Sequence, residues 1–160
     1  MNKRTFFENA NSRFRMGLYM FLKLPAAWFM GLRVVQCNEE KCAVALPYRW
    51  RSQNPFRSTY FAAQCAAGEM STGLLALACL QEQPPVSMLV THIEADFFKK
   101  ASETLTFTCE EGALIEATIQ QVLSGEDAHT LLLHSKGRLP DGTIASEIRV
   151  QWSFKRKGSS

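Results

Sequence analysis

The run Tyr60-Phe61-Ala62-Ala63-Gln64-Cys65-Ala66-Ala67-Gly68-Glu69-Met70-Ser71-Thr72-Gly73-Leu74-Leu75-Ala76-Leu77-Ala78-Cys79-Leu80 decides how the chain is read. Ala, Leu, Met and Gln dominate it, so its propensity predicts a helix over Tyr60–Leu80. Ser58 or Thr59 stands where a side-chain oxygen can satisfy a free N–H of the first turn. Pro84 and Pro85 forbid its continuation. The helix is apolar nearly all round, so neighbouring elements must cover most of it. Glu69 is its only charge. An ionised carboxylate in an apolar setting is costly unless paired or hydrogen-bonded. Two readings of Glu69 follow. Either it lies at a polar seam or against an arginine, or it faces a ligand cleft as a base or nucleophile.

Outward from this helix the pattern is mostly β. Phe29–Cys37 and Cys42–Trp50 read as an antiparallel hairpin turning at Asn38–Lys41, and Arg51–Thr59 reads as a loop. Beyond the helix, Val86–Phe98, Glu103–Glu110, Leu114–Leu123, His129–Leu139 and Thr143–Lys155 read as strands, with Asp141-Gly142 a tight turn. At the other end, Thr5–Leu24 reads as an amphipathic helix ended by Pro25. Its Phe14, Leu18, Phe21 and Leu22 are expected to pack on a sheet; contact of this face with a membrane surface is the less favoured reading. One long helix after two strands, followed by a succession of strands, predicts an α+β fold. A curled antiparallel sheet wraps around one central helix, and 1–160 forms a single domain with a frayed tail at 156–160. The sheet can cover only part of the helix. An open strand edge and an apolar remainder therefore predict a homodimer, which in turn can pair into a tetramer.

Composition narrows the function. The chain has 160 residues, 46% hydrophobic and 21% charged, with a formal net charge of +3. That is the profile of an ordinary globular domain and too weakly basic for a nucleic-acid partner. Cysteines at 37, 42, 65, 79 and 109 are odd in number and form no Cys-x-x-Cys, which points to a reducing compartment, the cytoplasm, rather than to a disulfide framework or zinc. Cys65 and Cys79 read as small core hydrophobes. His92, His129 and His134 are scattered, so no metal is expected. Glu8, Arg13 and Arg15 precede the apolar stretch, against a secretory signal. Phosphate-binding glycine loops and a Gly-x-Ser-x-Gly elbow are absent.

Two features stand beside Glu69. Asn54 lies in the loop entering the helix, before Pro55. The free N–H groups around Tyr60 and Phe61 carry the positive end of the helix dipole, suited to a developing oxyanion. The segment Asn54-Pro55-Phe56-Arg57-Ser58-Thr59-Tyr60-Phe61-Ala62, six further residues and Glu69 resembles the active-site stretch of hotdog-fold acyl-CoA thioesterases. In the PaaI-like branch, Asn is followed by five residues, His-Gly-Gly, six residues and an acid. The chain resembles still more closely an uncharacterised thioesterase-like hotdog family of similar length. The departure is at Tyr60-Phe61-Ala62, which stands in place of His-Gly-Gly.

The resemblance implies thioester hydrolysis. Asn54 and the Phe61 N–H polarise the carbonyl, Glu69 activates water or attacks directly, and Ser87 or Thr91 orients the water. Tyr60, Ala62 and Thr72 belong to the cleft wall. Lys99, Lys100 and Arg57 meet the phosphates of coenzyme A, which is part of the substrate rather than a cofactor. Arg49 and Arg51 are further loop cations suited to the same end. The rival reading is a non-catalytic module that holds an acyl-CoA or a hydrophobic metabolite in the same cleft. A hotdog dehydratase fits less well, because its Asp and His pairing is not evident. Helix geometry adds a constraint of its own. Phe61 and Glu69 are eight residues apart, roughly 12 Å along the axis, whereas a Glu side chain reaches only about 4–5 Å. One thioester cannot meet both in a single chain, so the acid must come from the opposite subunit.

Overall fold

The computed structural model describes residues 2–125 and 128–157. Glu126, Asp127 and the last three residues of the expected tail lie outside the described residues. The rest of that tail is ordered: the final strand reaches Arg156, and the Lys157 N–H donates to the Pro85 carbonyl at 2.8 Å.

The amino-terminal segment is three helices, not one. Helix α1 covers Lys3–Asn11, α2 covers Arg13–Lys23 and α3 covers Pro25–Met30. Asn2 and Ser12 supply side-chain caps to the first two, accepting from the Thr5 N–H at 2.7 Å and the Arg15 N–H at 3.4 Å. The break at Ser12 has a second cause next door. Asn11 exchanges hydrogen bonds with both backbone groups of Cys37, at 2.7 and 2.8 Å. It thereby occupies part of the edge of the first strand, which would otherwise stay open. Pro25 does end the preceding helix, but it also opens α3, because its fixed φ and missing N–H suit the first helical position. Gly31, at φ +82°, then reverses the chain. Strand β1 therefore starts at Arg33, not at Phe29.

Strands β1 (Arg33–Cys37), β2 (Cys42–Leu46), β3 (Val86–Phe97), β4 (Leu105–Cys109), β5 (His129–Arg138) and β6 (Ile144–Arg156) form one antiparallel sheet of order β1-β2-β4-β5-β6-β3. Helix α4 (Phe61–Cys79) lies across it. The expected α+β architecture, a curled antiparallel sheet around a long central helix, is the one observed. The contact is close where α4 is small. A Cβ on Gly68 would stand 2.6 Å from the Cβ of Ile148, so only glycine lets the helix settle on β6. Polar pairs tie the same face down: Ser146 Oγ donates to Gln64 Oε1 at 2.7 Å, and the Ser71 and Ser135 hydroxyls lie 2.7 Å apart.

Leu114–Leu123 is not a strand. It lies within helix α5 (Gly112–Ser124), which buries Ile115, Thr118, Ile119 and Val122. The spacing 115, 119, 122 is the stripe of an amphipathic helix, and it prevails over the strand preference of these β-branched residues. Cysteines 37, 42, 79 and 109 are buried, and Cys65 is half-buried on α4. All five are free.

Strand β3 is the outer strand of the sheet, 12 residues long and without a partner on its far side. Register sets Ile93, Ala95 and Phe97 opposite Val150, Ile148 and Ser146, on the face that carries α4. Ile93 and Phe97 are nonetheless exposed. The helix-side face thus continues as an uncovered apolar strip beside an open edge.

Candidate active site

The loop before α4 is held by its own polar groups. Asn54 Oδ1 accepts from the Phe56 N–H at 3.0 Å, the Ser58 N–H at 3.2 Å and the Ser58 hydroxyl at 3.1 Å. These donors fix the amide orientation, since only the oxygen can accept them. The Asn54 NH2 makes no hydrogen bond among the described residues. The Thr59 N–H donates to the Ala101 carbonyl at 2.7 Å, and the Tyr60 N–H to the Ser52 carbonyl at 2.7 Å.

No side chain caps the helix. Tyr60 is the N-cap residue, and the Thr59 hydroxyl donates instead to the Ala101 carbonyl at 3.2 Å, while Ser58 serves Asn54. The expected cap is therefore not made. Its consequence is chemical, because the first N–H groups, at Phe61 and Ala62, keep no acceptor among the described residues. They sit at the positive end of a 19-residue helix. The Phe61 ring is 56% exposed, edge-on to Tyr60 at 4.9 Å and to Phe97 at 6.4 Å.

Glu69 is half-buried two turns further along. Among the described residues nothing hydrogen-bonds or pairs with its carboxylate. Burial alone pushes its pKa up from the ordinary value of 4.5. The arginine partner of the structural reading is not there. One carboxylate oxygen lies 3.4 Å from where a Cβ at Gly73 would stand, and the Trp152 ring is 3.1 Å from the same point. Gly73 thus leaves a notch between an acid and an indole. Trp152 is itself held, its Nε1–H donating to the Thr72 hydroxyl at 3.0 Å, while Thr72 donates to the Glu69 carbonyl at 2.9 Å. Thr72 is fully buried with its hydroxyl engaged, so it supports Trp152 and does not line a cleft.

The remaining candidates fall in two groups. Ser87 and Thr91 are exposed on β3, donating to the carbonyls of Lys155 and Gln151 at 3.1 and 3.2 Å. Thr91 sits at the register shift next to Val90, which faces Trp152, so it is level with the Glu69–Gly73 notch. Ser87 pairs with Lys155, next to buried Phe154, so strand alternation puts it on the face of β3 away from α4, roughly 13 Å along the strand from Thr91. Lys99 and Lys100 are exposed just ahead of Ala101, whose carbonyl receives Thr59, and so they lie near the start of α4. Lys99 approaches Asp141 at 4.0 Å. Arg57 is exposed at the loop tip with φ +58°. In one chain, then, Asn54, Phe61 and the lysines gather at the start of α4. Glu69 lies two turns away, beside Gly73 and Trp152, and Thr91 stands at the height of Trp152 on the edge strand. The sequence offered a signal for Gly73, a glycine four residues after the lone acid. It offered none for Trp152, which is 83 positions distant from Glu69 along the chain.

The curled sheet and its central helix are those of the hotdog fold. A protein of unknown function from Chlorobaculum tepidum superposes with a TM-score of 0.75 at 11% identity, over 92% of this chain and 99% of that one. A thioesterase from Haemophilus influenzae superposes with a TM-score of 0.67 at 12% identity, over 91% of each chain. A mutant thioesterase from Staphylococcus aureus gives 0.62 at 14% identity, over 79% of this chain and 94% of that one. At these identities the likeness is one of fold. Residues 13–153 match the profile of DUF4442, a domain of unknown function, and the chain belongs to that family. No curated protein matches the chain in sequence.

Proposed function

We propose that the protein is a homodimeric acyl-CoA thioesterase of the PaaI-like type, with each site shared between two subunits. The observation that carries this reading is Glu69: a half-buried, unpartnered carboxylate beside the notch at Gly73. The open β3 edge and the apolar strip of Ile93 and Phe97 support a second copy on that side. Glu69 of one subunit takes a proton from water held by Thr91; Ser87, on the face of β3 away from α4, is set aside. The hydroxide oxygen bonds to the thioester carbon, and the carbonyl oxygen becomes an oxyanion facing the Phe61 N–H and the Asn54 NH2 of the other subunit. The C–S bond then breaks, and the thiolate of coenzyme A recovers the proton from Glu69. Each oxyanion donor lowers the barrier by about 2–4 kcal/mol. Tyr60 and Ala62 border the carbonyl site, and Lys99, Lys100 and Arg57 supply charge to the phosphates of coenzyme A.

The aromatic cluster of Tyr60, Phe61 and Phe97 favours one rival, a module that holds an acyl-CoA or another apolar ligand without cleaving it. Thiol release from an acyl-CoA panel separates the two. Wild-type turnover that falls by about 10²–10⁴-fold in Glu69→Gln supports hydrolysis. Turnover unaffected by Glu69→Gln removes the role given to Glu69. Bound acyl species in the mass spectrum of the purified protein, without thiol release, establish the binding module.

A further inference from the structure

A second feature of the molecule lies outside this site. Arg13 at the start of α2, Arg33 at the start of β1, and Arg49 and Arg51 flanking Trp50 all line one cavity of about 310 Å³. No acidic side chain lines it, and none of the four guanidinium groups forms an ion pair among the described residues. Their combined charge exceeds the formal net charge of the whole chain, +3. Four like charges in one concavity repel one another, and the repulsion grows as water is displaced. Arg33 and Arg51 are half-buried, and buried Leu32 and the indole of Trp28 supply apolar wall. Arg51 is also held in place, 5.9 Å over the Phe29 ring. Arg13, Arg33 and the Arg49–Arg51 pair come from three separate elements, so folding brings them together.

We infer that this cavity binds a phosphomonoester or diphosphate group. Guanidinium forks match phosphate oxygens in pairs, and a dianion offsets the repulsion among the four. The indole of Trp28 gives the rest of the ligand an apolar or stacking surface. Two sources carry this chemistry: a soluble phosphate ester such as coenzyme A, and the headgroup of an anionic lipid. The inference is independent of thioester hydrolysis, because binding is measured without turnover.

Calorimetric titration of the full chain with inorganic pyrophosphate at low salt should show saturable binding. Arg33→Gln with Arg51→Gln should weaken it by about tenfold or more per guanidinium removed. Arg138→Gln, outside the cavity, should leave it unchanged. If the double glutamine variant fails to fold, Arg33→Lys with Arg51→Lys keeps the charge, loses the forks and should still weaken binding. Free coenzyme A binding more tightly than pyrophosphate, an advantage lost in the double variant, with no sedimentation on phosphatidylglycerol vesicles, identifies a soluble ester. Sedimentation on those vesicles that pyrophosphate reverses and the double variant abolishes identifies a headgroup. Absence of saturable binding, or equal affinity in wild type and the folded double variant, overturns the inference.

Discussion

If the catalytic site spans two subunits, two inactive variants should repair each other. Asn54→Asp keeps the oxygen that accepts from Phe56 and Ser58 and loses only the free NH2 donor. Glu69→Gln keeps the volume of the acid and loses its basicity. Each homodimer carries the same defect in both sites, so thiol release should fall by about 10²–10⁴-fold in either. In a mixed dimer the defects distribute unequally. One site combines both defects. The other combines an intact Asn54 with an intact Glu69. Random pairing of equal amounts makes half of the dimers mixed, each with one working site of two, so activity should recover to about a quarter of wild type. The figure follows from a distance. Phe61 and Glu69 are separated by eight residues of continuous helix, roughly 12 Å, and no rotamer of Glu69 closes that gap. Differently tagged subunits, co-expressed and purified through both tags, should reach half of wild type. Mixed dimers that stay as inactive as either parent would show that carbonyl and base share one chain, and the distance argument would fail.

Three other outcomes follow from the packing. The Glu69 carboxyl has a raised pKa in the folded state, so the folded protein holds more protons than the unfolded one above the ordinary value of 4.5. Wild-type stability should therefore fall as pH rises from 4.5 through the raised value, and Glu69→Gln should melt higher than wild type at pH 7.5 but not at pH 4; equal melting at both pH values contradicts the burial. Gly68→Ala gains about 1 kcal/mol of helix propensity, but its Cβ meets Ile148 at 2.6 Å. Overpacking should dominate, with a net loss of about 1–2 kcal/mol in urea unfolding, and a stabilised variant refutes the close approach. Burial pushes the Cys79 thiol up to about 11 and the Cys109 thiol up to about 12. With Cys37, Cys42, Cys79 and Cys109 all buried and Cys65 half-buried, a thiol reagent on the native protein at pH 8 should label Cys65 alone, and labelling that survives Cys65→Ser counts against the core assignment.

Legibility in the sequence followed the range of the interactions. Helix α4 was readable because its composition admits little else and its lone Glu69 is a local anomaly. The Asn54–Glu69 spacing was readable for the same reason, since fifteen positions of one segment carry it. Helix α5 was misread because Ile115, Thr118, Ile119 and Val122 favour strands one by one, and only their spacing reports the buried face. The break at Ser12 was hidden because it depends on Asn11 reaching Cys37, 26 positions away. Arg49 and Arg51 were visible as loop cations. Their convergence with Arg13 and Arg33 was not, because no local pattern reports a cavity assembled from three elements.

Glycine at a helix start lets a ligand carbonyl approach the backbone, and Tyr60-Phe61-Ala62 places three side chains there where His-Gly-Gly has one. Two of them, Tyr60 and Phe61, turn outward into an aromatic pair that Phe97 joins. The N–H groups of Phe61 and Ala62 keep their orphan state, because Thr59 spends its hydroxyl on Ala101 and Ser58 on Asn54. A helix start that only needed stability would use Thr59 as its cap, worth about 1 kcal/mol. Here the capping hydroxyl is diverted one residue short of the helix, and Gln64 Nε2 takes up the Thr59 carbonyl at 3.3 Å. The side chains at 60–62 therefore alter who can reach the donors, not whether the donors exist. Phe61→Gly tests that distinction: it should raise kcat/KM for bulky acyl groups more than for acetyl. An equal effect on both would mean that the ring at position 61 does not stand at the entrance.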